Sequence, residues 1–209
     1  MSTGNAYGAT SSSFGGGIPV WRSVDPNGKW QGGGVIANLP AAGTVIAAGH
    51  PVEIDTAAHT AKLCNVFKVH TAIDTSATEL KIVVLPGLPR LKAGNFIMVP
   101  PAAATGTGTA ITVGAVTQGT AFDTIAIVAN SLGALAEGSL LVEAAATGST
   151  KAQYAVPNAL VYADVYVETG TTVATVAGVH TGTVYAERTP LMSTGIKAGL
   201  TTIKFDNSH

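Results

Sequence analysis

The sequence predicts an all-β protein: one or more small β-sandwich or barrel-like domains, a short helix near residues 190–198, and an extended amino-terminal arm. Three observations predict it. Only 11% of the 209 residues are charged, against about 25% in an ordinary globular chain, while Gly, Ala, Val and Thr carry much of the rest. From about Ala41 onward, apolar runs of roughly five to eight residues are separated by Gly, Pro, Asn or Asp, as short strands are separated by turns. Between Val161 and Glu168 the residues alternate, with Val161, Ala163, Val165 and Val167 on one side and Tyr162, Asp164, Tyr166 and Glu168 on the other. That is the period of two of a strand with one buried face.

Residues 1–40 read as the arm. They show no sustained period of 2 or 3.6, are built from Gly, Ser, Asn and Pro, and carry the turn-forming DPNG at 25–28. Residues 41–146 read as a β domain, with strands expected at Thr44–Ala48, Ala61–Thr71, Glu79–Leu85, Phe96–Val99, Ala110–Val116, Thr124–Val128 and Ser139–Glu143. The polar stretch TGSTKAQ (147–153) reads as a linker into a β subdomain, 147–209, either continuous with the preceding domain or separate. There the alternating strand is followed by a turn at Gly170 and by strands at Thr172–Ala177 and Gly182–Glu187. Thr189 with Pro190 has the form of a helix N-cap followed by Pro at the first helical position, and Gly199 ends that element before a last strand, Thr201–Phe205. AGTVIAAG (42–49), AGNFIMVP (93–100) and EGSLLVEA (137–144) share a Gly turn leading into an apolar strand.

Charge and motifs narrow the function. Eleven Lys and Arg against twelve Asp and Glu leave a formal net charge of -1, so no long-range field draws in nucleic acid or an anionic membrane. The longest mostly apolar stretch, Thr124 to Ala136, falls short of the ~20 residues that span a bilayer. The start MSTGNAYGATSSS lacks the basic and apolar regions of a signal peptide, which leads us to expect synthesis and assembly in cytoplasm. The single cysteine, Cys64, excludes an internal disulfide framework and reads as a buried apolar residue. The five histidines, His50, His59, His70, His180 and His209, show no metal-ligand spacing, so no metal or cofactor is expected. TGTGTAITVG (105–114) lacks the Lys-Ser or Lys-Thr ending of a phosphate loop and reads as a hairpin turn. With no GxSxG elbow and no base for Cys64, nucleophilic catalysis has no anchor, and the chain is not expected to be an enzyme. In YAERTP (185–190), Glu187 and Arg188 form either a site or a solvated ion pair.

The arm poses an energetic problem. Ordering a Gly-rich segment costs about 1–2 kcal/mol of backbone entropy per residue, whereas burying one Trp returns roughly 4–6 kcal/mol gross. Trp21 and Trp30 alone cannot hold such a segment, so it is expected to dock on another molecule. The other reading is that both indoles fold back onto their own β domain.

Taken together, the arm FGGGIPVWRSVDPNGKWQGG, the entry AGTVIAAGHPVEID at 42–55, and the stretches EGSLLVEA, NALVYADVYVETG, GTVYAERTP and IKAGLTTIKF resemble head fiber and capsid decoration proteins of tailed bacteriophages. The resemblance touches about half of the chain. It implies a structural protein, often trimeric, bound to the major capsid protein on the outside of the virion through its amino-terminal portion, with a β domain projecting outward and no catalytic residues. Mapped onto this chain, the attachment segment is the arm, and the expected partner-binding residues are Phe14, Pro19, Trp21, Arg22 and Trp30, because aromatics and Arg dominate interface hot spots. Two rival readings remain. One is a carbohydrate-binding or adhesive β module stacking sugars on Tyr162, Tyr166 and Tyr185. The other is a trimeric β enzyme using Asp164, Glu168, Glu187 and Arg188.

Overall fold

The computed structural model describes residues 19–85, 88–102, 106–127, 130–152 and 157–207. In chain order the strands are β1 (Trp21–Val24), β2 (Lys29–Ile36), β3 (Val45–Ile46), β4 (Pro51–Asp55), β5 (Thr60–Leu63), β6 (Val66–Lys68), β7 (Glu79–Val83), β8 (Phe96–Met98) and β9 (Thr107–Thr117). They continue with β10 (Phe122–Ile127), β11 (Leu140–Glu143), β12 (Gly148–Lys151), β13 (Ala159–Val161), β14 (Val165–Tyr166), β15 (Thr175–Val179) and β16 (Gly182–Tyr185). The helix α1 (Thr194–Gly199) precedes β17 (Ile203–Asp206). The all-β expectation holds.

Five strands close a small barrel in the order β13-β15-β2-β5-β4. Every pair is antiparallel except β2 with β5, where Val35 lies opposite Thr60 and Ile36 opposite Ala61. Val52, Ile54, Ala61, Leu63, Val161 and Val176 fill its core. Residues 66–143 are inserted between β5 and β13 of this barrel and form a second body, the antiparallel sheet β6-β11-β8-β9-β10-β7. The ends of that sheet meet through a bridge between Val69 and Ile82 and a hydrogen bond from His70 N to Lys81 O of 2.8 Å. It therefore curls around Phe67, Leu80, Ile97, Ile111, Ile125 and Leu141. Closure leaves few unpaired edges, which is how all-β folds limit edge-to-edge association. A small sheet, β1-β16-β17, packs with α1 over the junction, where Met98, Val142, Leu160, Val184 and Ile196 form a shared apolar cluster.

A recurrent turn launches four strands. At residues 41–44, 47–50, 92–95 and 136–139 the fourth N–H donates to the first carbonyl, at 3.1–3.3 Å. The third residue is a Gly with φ of 80–87°, as a type II turn requires. Each of these glycines also donates its N–H to a carbonyl elsewhere, in or beside a strand: Gly43 to Val167, Gly49 to Val161, Gly94 to Val113 and Gly138 to Val69. The similar segments noted in the sequence are this one device, leading into β3, β8 and β11, with a fourth copy ahead of β4.

Several expectations are corrected. Residues 21–36 are not an arm but β1 and β2, and β2 lies inside the closed barrel between β15 and β5. Its glycines fit there because the neighbouring backbones come close: a Cβ on Gly34 would stand 2.8 Å from the Thr60 carbonyl carbon. Gly33, at φ 63°, occupies a bulge where β2 carries extra residues against β15; such bulges bend a strand so that a barrel can close. A boundary at 146/147 is not observed either, since the first barrel uses residues from both sides of it and the expected linker contains β12, paired with β9. The alternating run 161–168 is two strands, β13 and β14. The Asp164 carboxylate accepts a hydrogen bond from Ala48 N (2.7 Å) between them, and the kink leaves Tyr162 and Ala163 both exposed. The stretch read as a Gly-rich hairpin at 105–114 is mostly β9, an eleven-residue strand. Ser193, not Thr189, caps the helix, its Oγ accepting from Ile196 N at 3.3 Å. Thr189 instead donates to Ala186 O (2.8 Å) to close a single 3-10 turn.

Candidate functional site

The chain enters the described structure at Pro19, and β1 follows at once as the outer strand of the three-stranded sheet. Pro19 is exposed, and its carbonyl accepts a hydrogen bond from Arg188 Nη1 at 3.1 Å. Trp21 is half-buried. Its Nε1 donates to Tyr162 O at 2.8 Å, and its ring centroid lies 6.5 Å from that of Tyr162. Arg22 is exposed and pairs with Asp206 on β17. Exposure screens that pair, so its contribution is about 0–1 kcal/mol. Trp30 lies elsewhere, on β2, half-buried and leaning on His180 with centroids 5.1 Å apart.

Of the five residues expected to bind a partner, Pro19, Trp21 and Arg22 lie within four residues at the start of the described chain, each against a different partner, and Trp30 lies apart at the barrel. Phe14 lies outside the described residues. The expectation that both indoles need a foreign surface is corrected: each has an intramolecular partner, and strand pairing of β1 with β16 and of β2 with β15 and β5 satisfies the backbone. Lys29, which the sequence reading did not single out, and Arg188, which it weighed as part of a site or an ion pair, complete the surface. Lys29 Nζ stands 3.7 Å from the Tyr162 ring centroid and the Arg188 guanidinium 4.2 Å from that of Tyr185, cation–π contacts worth about 0.5–1 kcal/mol when exposed. Each cation covers one face of a tyrosine suggested for sugar stacking. Arg188 is thereby committed to Pro19 and Tyr185.

A second polar group sits at the junction of the barrel and the inserted sheet. His50 precedes β4, Asn38 follows β2, Asn65 links β5 to β6, and Glu143 ends β11. His50, Asn65 and Glu143 are all buried. Asn65 Nδ2 and Asn38 Nδ2 donate to Glu143 Oε2 at 2.7 and 2.9 Å. Asn65 Oδ1 is therefore left to accept from His50 Nε2, at 3.1 Å, which places the proton of a neutral imidazole on Nε2. His50 Nδ1 is buried without a hydrogen-bond partner. Complete burial lowers the His50 pKa to about 4, only partly opposed by Asn65. Burial raises that of Glu143, against the lowering pull of the Asn38 and Asn65 amides and of Lys92. Burial likewise pushes the adjacent Cys64 thiol well up, so Cys64 is not a poised thiolate. Single polar residues inside apolar runs, Asn65 in LCNVF and Glu143 in LLVEA, were the available sequence sign of this network.

Among the described residues no three His, Cys, Asp or Glu side chains converge in a metal-binding group, and no helix is long and apolar enough to cross a membrane. No protein-family model, no curated protein and no solved structure matches this chain.

Proposed function

We propose that the protein is a structural component of a bacteriophage head, a fiber or decoration protein that holds the outside of the capsid through its amino-terminal segment and projects its β body outward. The observation that carries the reading is the composition of residues 1–18. They are rich in Gly and Ser, carry no charged side chain, and feed directly into β1 at the margin of a sheet. A segment of that composition offers little apolar surface for a core of its own, which suits it to pairing with another surface. The sequence resemblance supplies the partner, the major capsid protein. Pro19, Trp21 and Arg22, beside Tyr162, form the surface that would continue the docking contact.

The corrected extent of the leader decides the experiment. Deleting residues 1–18 leaves β1 and β2 intact, so the shortened protein should fold and melt like the full chain yet fail to join phage heads during assembly. Normal incorporation of that variant, followed by mass spectrometry of purified heads, would remove the docking role. Deleting residues 1–34 is not an equivalent test, because it removes β1 and most of barrel strand β2.

Self-association as a trimer is part of the proposal. The outer face of β2 and β15 supports it. Val35, Ala37, Val173, Thr175 and Ala177 are all exposed there, with Val35 at 40% and Val173 at 54%, and none is charged. Exposed strand faces that are uncharged and largely apolar favour association. The double substitution V35E/V173E should shift the molar mass in light scattering from oligomer to monomer without changing the circular dichroism of the fold. A wild-type chain that is monomeric at all concentrations would refute this part.

A further inference from the structure

At one mouth of the five-stranded barrel, the β1–β2 turn and the β4–β5 turn stand on either side of an open groove of about 340 Å³. Pro26 and Asn27 come from the first turn, Thr56 and His59 from the second, and Trp30 and Ile54 border it from β2 and β4. The indole of Trp30 lies against β15 at Gly178, where an added Cβ would be in ordinary contact with Trp30 Cε3 at 3.4 Å, while the close approach that keeps this position free of a side chain is that of Ile54 Cδ1. His180 supports the ring from one side, and the part not covered by barrel residues faces the groove.

The rim is built with some strain. His59 is the non-glycine residue with positive φ, 54°, among the described residues. The conformation is held by two features. The Asp55 carboxylate accepts from Ala57 N and Ala58 N (2.9 and 3.0 Å), and His59 O accepts from Val35 N (2.9 Å). Glycine would satisfy this backbone without strain, and strained non-glycine positions concentrate where a side chain has a task. The side chains of Asn27, Thr56 and His59 are exposed, and no carboxylate lines the groove.

We propose that this groove binds one sugar ring of a glycan, its C–H face laid on Trp30 and its hydroxyls hydrogen-bonded by Asn27, Thr56 and His59. The chemistry matches on three counts. The groove offers an apolar floor and a polar rim, as a pyranose has an apolar face and a hydroxyl edge. An amide, a hydroxyl and an imidazole offer both donors and acceptors, suited to the hydroxyls of a sugar. A nucleotide would bring phosphate to a chain of formal charge -1 that offers it one lysine here, Lys29, already placed over Tyr162. The volume falls within the range of small-ligand sites, and barrel mouths are a common place for them. The inference does not depend on the virion reading.

The test uses the full chain labelled with fluorotryptophan, so that fluorine NMR resolves the two indoles, assigned with Trp30→Phe. Methyl glycosides of galactose, glucose, N-acetylglucosamine and N-acetylneuraminic acid are titrated to millimolar levels, with saturation-transfer NMR on the sugar protons. At least one glycoside should move the Trp30 resonance, leave that of Trp21 in place, and show saturation on its ring C–H protons. Asn27→Ala and Thr56→Val should each weaken binding about tenfold, the loss of one hydrogen bond. His59→Gly should weaken it similarly while melting no lower than wild type, because it relieves the backbone. Silence of every glycoside in both readouts overturns the proposal. So does binding unchanged in all three rim variants, or occupation by a phenol such as p-cresol where no glycoside binds.

Discussion

Acidification from pH 7 to pH 4 should withdraw on the order of 3 kcal/mol of folding stability through His50 alone. The folded imidazole holds its proton only below a pKa of about 4, against 6.5 for the free side chain. Each unit of difference is worth about 1.4 kcal/mol. Between those two values the unfolded chain binds a proton that the folded chain refuses, so stability rises with pH and falls on acidification. Protonation would place a second N–H on the buried Nδ1, which has no acceptor. Glu143, reached from His50 through Asn65, acts in the opposite direction. Its raised pKa lets the folded chain take up a proton at higher pH than the unfolded one, a contribution present at low pH and lost as pH rises through the folded value. Asp55 and Asp74, in exposed turns, are held low. The N–H groups of Ala58 and Ala57 act on Asp55, and the Ser76 hydroxyl and N–H act on Asp74. Both add acid sensitivity only below their ordinary value of 3.8. Urea unfolding at intervals from pH 7 to pH 4 should therefore show a falling midpoint for wild type. His50→Gln, which keeps an amide donor toward Asn65, should flatten that fall, and Glu143→Gln should steepen it. A His50→Gln profile that parallels wild type would mean that His50 is protonated in the folded protein.

Gly33→Ala should cost roughly 3 kcal/mol or more, a large share of the ~5–15 kcal/mol that stabilises a domain. Two penalties coincide at this position. Its φ of 63° is unfavourable for an L-residue by about 1–2 kcal/mol. A Cβ would also press on the Val176 carbonyl of β15, which cannot yield without parting a pair of barrel strands. Gly43→Ala is the control. Its φ is 82° but nothing lies within 4 Å of the added carbon, so only the backbone penalty of about 1 kcal/mol applies. Urea midpoints of the two variants should separate clearly. Equal losses would mean that β2 is not gripped between β15 and β5.

The same glycines explain where sequence reasoning went astray. KWQGGGVI offers one apolar residue, Trp30, before its last two positions, and glycine removes the alternation that identifies a strand. Strand β2 is made by its neighbours: β15 and β5 come so close that side chains at 33 and 34 would be excluded. The pattern of composition was therefore real evidence of close approach, read as looseness. Strand β12 hid for a similar reason, since Gly-Ser-Thr-Lys pairs with β9 along an exposed margin and buries almost nothing. Trp21, Arg22 and Trp30 were noticed as unusual in such a segment, but their partners, Tyr162, Asp206 and His180, lie more than a hundred residues away in the chain. No local period could announce them.

The sequence by itself determined the all-β class, most strand positions from residue 44 onward, the turn glycines that precede β3, β8 and β11, and the low and nearly balanced charge. These are local properties, written in the alternation of side chains and in the backbone freedom of single residues. Only the tertiary structure decided that residues 21–36 belong to the body, that a curled sheet is inserted into a barrel, and that His50, Asn65 and Glu143 meet at their junction. Those outcomes depend on which distant strands pair. Pairing is fixed by the packing of whole faces against each other, a quantity that no window of neighbouring residues contains.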